Sequence, residues 1–186
     1  GQETWPQDTD AWKYGGLAVC QTPAIDPTLG LVYFSTGNAG PDYNGTSRAG
    51  DNLFAVSIVA VELKTGKYRW HFQQVHHDIW DYDSSNPVVL MDLNVDGRAR
   101  KAIVEVSKTG WAYILDRETG EPIVGIDEQP VPQEPRQATA ATQPFPRGDA
   151  VVPQHVDVAP EGIPLVNGGR IFTPFLGDDP TVVMPG

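Results

Sequence analysis

A strand-turn-strand unit occurs twice in this chain, and the repeat narrows the choice of fold more than any other feature. Val59-Ala60-Val61-Glu62-Leu63-Lys64-Thr65-Gly66-Lys67 is matched by Ala112-Tyr113-Ile114-Leu115-Asp116-Arg117-Glu118-Thr119-Gly120-Glu121. Each copy reads as an apolar strand, an acidic or polar turn, Thr-Gly, and a further strand. The two Thr-Gly glycines stand 54 residues apart (120 minus 66), close to the roughly 40 to 50 residues of a four-stranded propeller blade. Two unrelated hairpins of a β-sandwich would also give two copies, so the spacing alone leaves both architectures open.

The rest of the chain has the same all-β texture. Residues 30–34, 53–63, 101–106 and 111–115 are rich in Val, Ile, Leu, Tyr and Phe and are bounded by Gly, Asn and Asp, the mark of strands between turns. Turn signals stand at Thr36-Gly37-Asn38, Thr65-Gly66-Lys67, Asp96-Gly97, Lys108-Thr109-Gly110 and Thr119-Gly120-Glu121. Helical periodicity is not sustained, and 19 Gly with 17 Pro are too many for a helical bundle. Residues 127–164 gather Pro130, Pro132, Pro135, Pro144, Pro146, Pro153 and Pro160, which predicts an extended connection or a loop capping one face.

Charge and cysteine usage exclude several functions. A net charge of −11 without clustered Lys or Arg argues against a nucleic-acid partner. The single cysteine, Cys20, can form neither an internal disulfide nor a CxxC motif. No apolar run approaches the roughly 20 residues of a membrane helix.

Two carboxylates carry the first chemical signal. Asp81 and Asp83 sit two apart in Trp80-Asp81-Tyr82-Asp83, so on an extended segment they face the same side. Such a pair repels unless a cation or a proton lies between them. A hard cation such as Ca²⁺ takes carboxylate and amide oxygens, and Asn38 could add one of the latter. Solvated turn acids would explain the same residues. His76 and His77 are neighbours, and on a strand at most one could face such a site; they read as hydrogen-bonding residues that orient the loop 78–83.

Several strings together resemble the pyrroloquinoline quinone (PQQ) dependent dehydrogenases, the quinoprotein alcohol and glucose dehydrogenases built on an eight-bladed propeller. They are Leu31-Val32-Tyr33-Phe34-Ser35-Thr36-Gly37-Asn38, Arg48-Ala49-Gly50-Asp51-Asn52-Leu53 and His76-His77-Asp78-Ile79-Trp80-Asp81-Tyr82-Asp83. Lys108-Thr109-Gly110-Trp111-Ala112-Tyr113-Ile114-Leu115-Asp116-Arg117 and Ala140-Ala141-Thr142-Gln143-Pro144-Phe145-Pro146 follow in the family's order. The resemblance implies that residues 1–186 are an internal piece of one PQQ-binding β-propeller domain, holding about three blades of four antiparallel strands. Such an open piece cannot close its ring, so the isolated chain is expected to be inactive. The repeat resembles the family's tryptophan-docking motif, with Trp70 as the closing residue of the first copy. In the second copy Val124 stands at the matching place.

The resemblance also implies roles at named positions. Asn38 matches a ligand of the metal that holds PQQ. Asp81 matches both a metal neighbour and the catalytic base, and Asp83 an extra metal-binding acid of lanthanide-using methanol and ethanol dehydrogenases. Lys108 matches the cation that hydrogen-bonds the quinone oxygens, where it would stabilise developing negative charge. Cys20 stands where many members place a Trp under the PQQ ring; its sulfur could pack on that ring, or it could be a small buried apolar residue. The implied cofactors are PQQ with Ca²⁺ or a lanthanide. A primary or secondary alcohol or a sugar is the implied substrate, with cytochrome c or a membrane quinone as electron acceptor, in the periplasm. Two alternatives are a membrane-type glucose dehydrogenase, suggested by the region 129–145, and a non-catalytic propeller scaffold of the PQQ-repeat type. A scaffold has no need of Asn38, Asp81 and Lys108 together.

Overall fold

The computed structural model describes residues 1–131, 133 and 138–147. Strands β1 (Ala24–Asp26), β2 (Leu31–Ser35), β3 (Ser57–Glu62) and β4 (Tyr68–Gln73) form one antiparallel sheet in the order β1-β2-β3-β4. Strands β5 (Val89–Val95), β6 (Arg98–Val106) and β7 (Ala112–Asp116) form a second, in chain order. The fourth place beside β7 is held only by an isolated bridge between Leu115 and Pro122. Finally, β8 (Ile126–Pro130) and β9 (Thr142–Pro146) pair as a two-stranded ribbon. The described residues contain only short 3-10 turns besides strands, and none of their helices is long and apolar enough to cross a membrane. The chain is all-β, as expected, with one complete four-stranded meander.

Side-chain alternation explains how the two larger sheets pack. Along β2, Leu31, Tyr33 and Ser35 are buried and their neighbours half-buried; along β7, Tyr113 and Leu115 are buried. Leu31, Tyr33, Tyr113 and Leu115 join Ile58, Ala60, Trp70, Val88 and Ile103 in one cluster that spans both sheets. The core is thus the interface between two successive blades. The Asp96-Gly97 pair closes the β5-β6 hairpin with positive φ at both residues (51° and 75°), the backbone that favours Asp-Gly.

One end of this interface is stapled. Trp70 lies on the turn that follows β7: a Cβ on Gly120 would come within 2.7 Å of its ring. The indole Nε1 donates to the Arg117 carbonyl (3.3 Å), and so does the Tyr33 hydroxyl (2.8 Å). The docking geometry expected for Trp70 is therefore present. The Arg117 side chain reaches back to the first sheet, with Nε donating to Asp26 (2.8 Å) and a further ion pair to Asp92 (3.0 Å). Burial would raise the Asp26 pKa, but the Thr28 hydroxyl, the Leu29 and Thr28 amides and the Arg117 charge outweigh it and lower it to about 2. Because β2, β4 and β6 run away from this end, the segments 36–56, 74–88 and 107–111 all emerge at the opposite one.

One strand expectation changes. Residues 53–56, read as part of a strand, instead turn beside Asn38: the Val56 amide donates to Gly37 O (3.0 Å) and the Trp5 indole to Leu53 O (2.7 Å). Tertiary bonds replace the sheet ladder there. Of the proline-rich stretch 127–164, the described first part is mostly an antiparallel ribbon, whose prolines are tolerated because a two-stranded ribbon leaves half its amides outside the ladder. Gln143 ties this ribbon to the end of β4, accepting from the His76 amide (2.8 Å) and donating to its carbonyl (2.7 Å). Residues 148–164 lie outside the described residues.

Two measurements follow from the stapled end. Gly66→Ala, where φ is positive but nothing lies within 4 Å, should cost about 1 kcal/mol. Gly120→Ala should cost at least about 3 kcal/mol in the same urea titration, because its Cβ also meets Trp70. Since the Asp26 pKa is depressed, its stabilisation is present above pH 4 and is lost as pH falls toward 2, when the unfolded chain takes up the proton first. Wild type should lose about 2 kcal/mol across that window relative to Asp26→Asn, read from unfolding curves at each pH.

Candidate functional site

At the end opposite the staple, three segments converge. The first continues from β2 as Thr36-Gly37-Asn38. Gly37 is needed for contact: a Cβ there would stand 2.8 Å from Asp83 Oδ1. The Asn38 amide donates to that same oxygen (2.9 Å). The Asn38 side-chain nitrogen donates to Asp42 (2.6 Å) and to Ala39 O (3.3 Å). Its carboxamide oxygen accepts no hydrogen bond from the described residues, which leaves that atom as a donor for a cation.

The second segment leaves β4 and carries Asp81 and Asp83. The residue that shapes it is Asp78, whose carboxylate is fully buried and accepts the Trp80 amide (2.9 Å) and the Tyr82 amide (2.9 Å). Burial pushes the Asp78 pKa up to about 7, against the pull of those amides and of Arg48. Arg48, buried at 0% exposure, donates to Asp78 O (2.5 Å), Pro41 O (2.9 Å) and Asn52 Oδ1 (2.7 Å), so it braces the loop from beneath. Asp81 takes a left-handed backbone (φ 64°) at the crest, a conformation that Asp tolerates better than most residues.

The third segment leaves β6 and brings Lys108. Its ammonium donates to Asp83 Oδ2 (2.7 Å), to Asp81 O (2.8 Å) and, more weakly, to Asp81 Oδ2 (3.4 Å). Partial burial pulls the Lys108 pKa down, but the bonds and charges of Asp83 and Asp81 outweigh it and hold it above the usual lysine value. Lys108 is therefore charged at neutral pH and counters the carboxylate pair.

Asn38, Asp81, Asp83 and Lys108 are thus brought together. Asp81 and Asp83 meet for a reason other than strand alternation: Asp78 and the positive φ of Asp81 curl the loop. His76 and His77 follow the end of β4 in a bend. Their ring bonds go to Gln73 (2.8 Å), Glu128 (3.0 Å) and Gly50 O (2.6 Å), so they anchor the loop at its root.

Cys20 differs from one expectation. It is exposed, with its Sγ 3.9 Å from Ala18 O, and is not a small buried apolar residue. Its segment runs along the Asn38 turn, with Leu17 N donating to Asn38 O (3.0 Å) and Gly37 N to Ala18 O (2.8 Å). Upstream, the Gly15–Gly16 turn is packed against Trp5 and the Asn38 backbone.

Among the described residues, no group of three or more His, Cys, Asp or Glu side chains is placed to hold a metal ion. The Asp81 and Asp83 carboxylates and the Asn38 carboxamide oxygen are hard oxygen donors by type. That donor set fits Ca²⁺ or a lanthanide ion with further ligands from elsewhere.

A four-stranded meander docked by a tryptophan on the turn of the next sheet is the geometry of successive propeller blades. A family model described as the PQQ-linked "Glucose/ethanol/alcohol dehydrogenase, beta-propeller domain" matches residues 1–163, and the chain belongs to that family. It is 40% identical over 122 residues to a putative dehydrogenase XoxF of Paracoccus denitrificans, covering 66% of this chain and 20% of that one. It is 44% identical over 126 residues to the dehydrogenase subunit of a quinone alcohol dehydrogenase of Gluconobacter oxydans, covering 66% and 16%. Among solved structures, the quinohemoprotein alcohol dehydrogenase of Comamonas testosteroni matches with a TM-score of 0.64 and 33% identity over 77% of this chain and 22% of that one. A europium-containing methanol dehydrogenase matches with a TM-score of 0.60 and 38% identity over 66% and 22%. The chain therefore spans about a fifth of the length of these relatives.

Asp78 and Arg48 were not singled out from the sequence as site-shaping residues. Asp78→Ala should cost at least about 2 kcal/mol in a urea titration, because the Trp80 and Tyr82 amides both lose their acceptor. Asp78→Asn keeps one acceptor oxygen and should lose clearly less in the same titration.

Proposed function

We propose that the protein carrying this chain oxidises a primary or secondary alcohol, with PQQ as electron acceptor and Asp81 as general base. The observation that carries the reading is the convergence of Lys108 on Asp81 and Asp83, with Asp83 in turn bonded to the Asn38 amide. A scaffold propeller requires the Trp70 staple but not this cluster. The names of the matched relatives, methanol and alcohol dehydrogenases, favour an alcohol over a sugar.

Bound PQQ would supply the two-electron acceptor and the metal a Lewis acid. The chain's own residues do the rest. Asn38, Asp81 and Asp83 would hold the metal, and Cys20, exposed beside the Asn38 turn, would lie along the cofactor. Asp81 accepts the substrate's hydroxyl proton. Lys108 would hold a positive charge beside the cofactor's oxygens, where a cation assists their reduction. Asp83 adds a further anionic ligand, which a trivalent ion rewards more than Ca²⁺ does. The europium-containing relative supports that choice of metal. The quinohemoprotein and quinone-linked names of other relatives support a cytochrome or quinone as electron acceptor; a periplasmic location rests on the family resemblance alone. On this reading residues 1–186 form part of one PQQ-binding propeller domain.

Reconstitution of the full-length protein with PQQ and either Ca²⁺ or La³⁺ tests the proposal. Asp81→Asn should abolish dye reduction with ethanol or methanol while leaving the melting temperature within a few degrees. Asp83→Ala should cost La³⁺-supported turnover at least about tenfold more than Ca²⁺-supported turnover. Full activity without PQQ, or in Asp81→Asn, would overturn the assignment.

A further inference from the structure

Directly behind the site lies a buried polar cluster to which none of the roles above applies. Its centre is Glu105, on β6, opposite Tyr113 in the β6-β7 ladder and only 1% exposed. The Gln74 side chain and the hydroxyls of Ser35 and Ser84 face its carboxyl. None of them makes a well-aligned bond to it: both Glu105 carboxyl oxygens, together with Gln74 Nε2 and Gln21 Oε1, are buried without a satisfied geometry. The residues around it are meanwhile tied to one another. Ser35 donates to Ser84 O (3.2 Å) and Asn86 O (3.3 Å), Ser84 donates to the Gln74 side chain, and Gln21 donates to Ser35 and to Ser84 O. The Tyr113 hydroxyl closes the group by donating to Gln74 O (3.3 Å).

The chain positions of these residues give the cluster its meaning. Ser35 is three residues before Asn38, Ser84 directly follows Asp83, Gln74 opens the loop that carries Asp81, and Glu105 itself is three residues before Lys108. We propose that Glu105 is a positioning residue for the site, which from behind links the Asn38, Asp83 and Lys108 segments and so sets the spacing of the metal-binding oxygens. Its neighbours in the cluster are neutral amides and hydroxyls, so an ionised carboxylate here would lack compensation, and the neutral acid can both donate and accept. Burial pushes the Glu105 pKa up to about 7, although Gln74, Ser35 and Ser84 favour the ionised form. A buried polar network rigidifies the segments it joins when its members are satisfied, and the free Gln74 Nε2 and Glu105 oxygens lie within reach of such bonds.

This inference rests on the proposed metal and PQQ chemistry, and the test separates the two. In the full-length protein, Glu105→Gln mimics the neutral acid, whereas Glu105→Leu keeps bulk and removes the link. Three quantities are read: La³⁺ affinity of the PQQ-free protein by calorimetry, kcat and KM for ethanol after reconstitution, and the melting temperature. Glu105→Gln should stay within about twofold of wild type on affinity and kcat. Glu105→Leu should bind La³⁺ at least about tenfold more weakly and lose at least about tenfold in kcat with KM unchanged, at a melting temperature no lower than wild type. If Glu105→Leu does not fold, Ser84→Ala severs one arm of the link and should weaken La³⁺ binding about threefold. Wild-type La³⁺ affinity and kcat in Glu105→Leu, or in Ser84→Ala where that variant stands in, would overturn the inference. So would a Glu105→Gln variant as impaired as Glu105→Leu. A wild-type protein that binds no La³⁺ and does not turn over ethanol with PQQ would refute the proposed function together with it.

Discussion

The packing of Trp70 on the Thr119-Gly120 turn is the contact on which the rest depends. It joins two sheets that share no strand, and it does so by letting an indole lie where any larger residue's Cβ would stand. Tyr33 and Trp70 both donate to the carbonyl of Arg117, and Arg117 returns a charged bond to Asp26 in the first sheet. Hydrophobic burial holds the blades together, and these directed bonds fix their rotation. With one end fixed in this way, the loops at the other end have a defined separation.

That separation turns three unremarkable loops into a site. Asn38 and Asp83 belong to loops of the first blade, whereas Lys108 comes from the second. The Lys108 bonds to Asp81 and Asp83 cross from one blade to the other and depend on how the two sheets are held. Within the first blade, Asp78 and Arg48 bury charge to shape the Asp81 loop, an arrangement that costs desolvation and is maintained by amide and carbonyl partners. The site end of the interface is correspondingly polar, with Glu105 and Gln74 where the stapled end has Leu31 and Leu115.

Much of this was legible in the sequence, for identifiable reasons. β2, β6 and β7 follow from alternating apolar residues between Gly and Asp turns, and Asp96-Gly97 announces its hairpin. Asn38, Asp81, Asp83 and Lys108 stand in strings that resemble one family, and the family match bears out that resemblance. Other features left no local signal. β5 carries Asp92 and Asn94 on an open face and reads as polar, and β8 and β9 are rich in Pro and Gln. Residues 53–56 look like strand because they are apolar, yet their apolar atoms serve a turn that closes over Asn38.

The sequence by itself determined the all-β class, the repeat that docks Trp70 and the residue types able to hold a metal and take a proton, because periodicity, turn chemistry and side-chain chemistry are local properties. Only the tertiary structure decided that Asp81 and Asp83 both meet Lys108, that Cys20 lies exposed beside the Asn38 turn, and that Asp78, Arg48 and Glu105 stand behind the site. Those facts depend on contacts between residues as many as 91 positions apart, such as Asp26 with Arg117, and on the angle between two sheets. No window of sequence contains either, since both follow from how the blades bury their shared face.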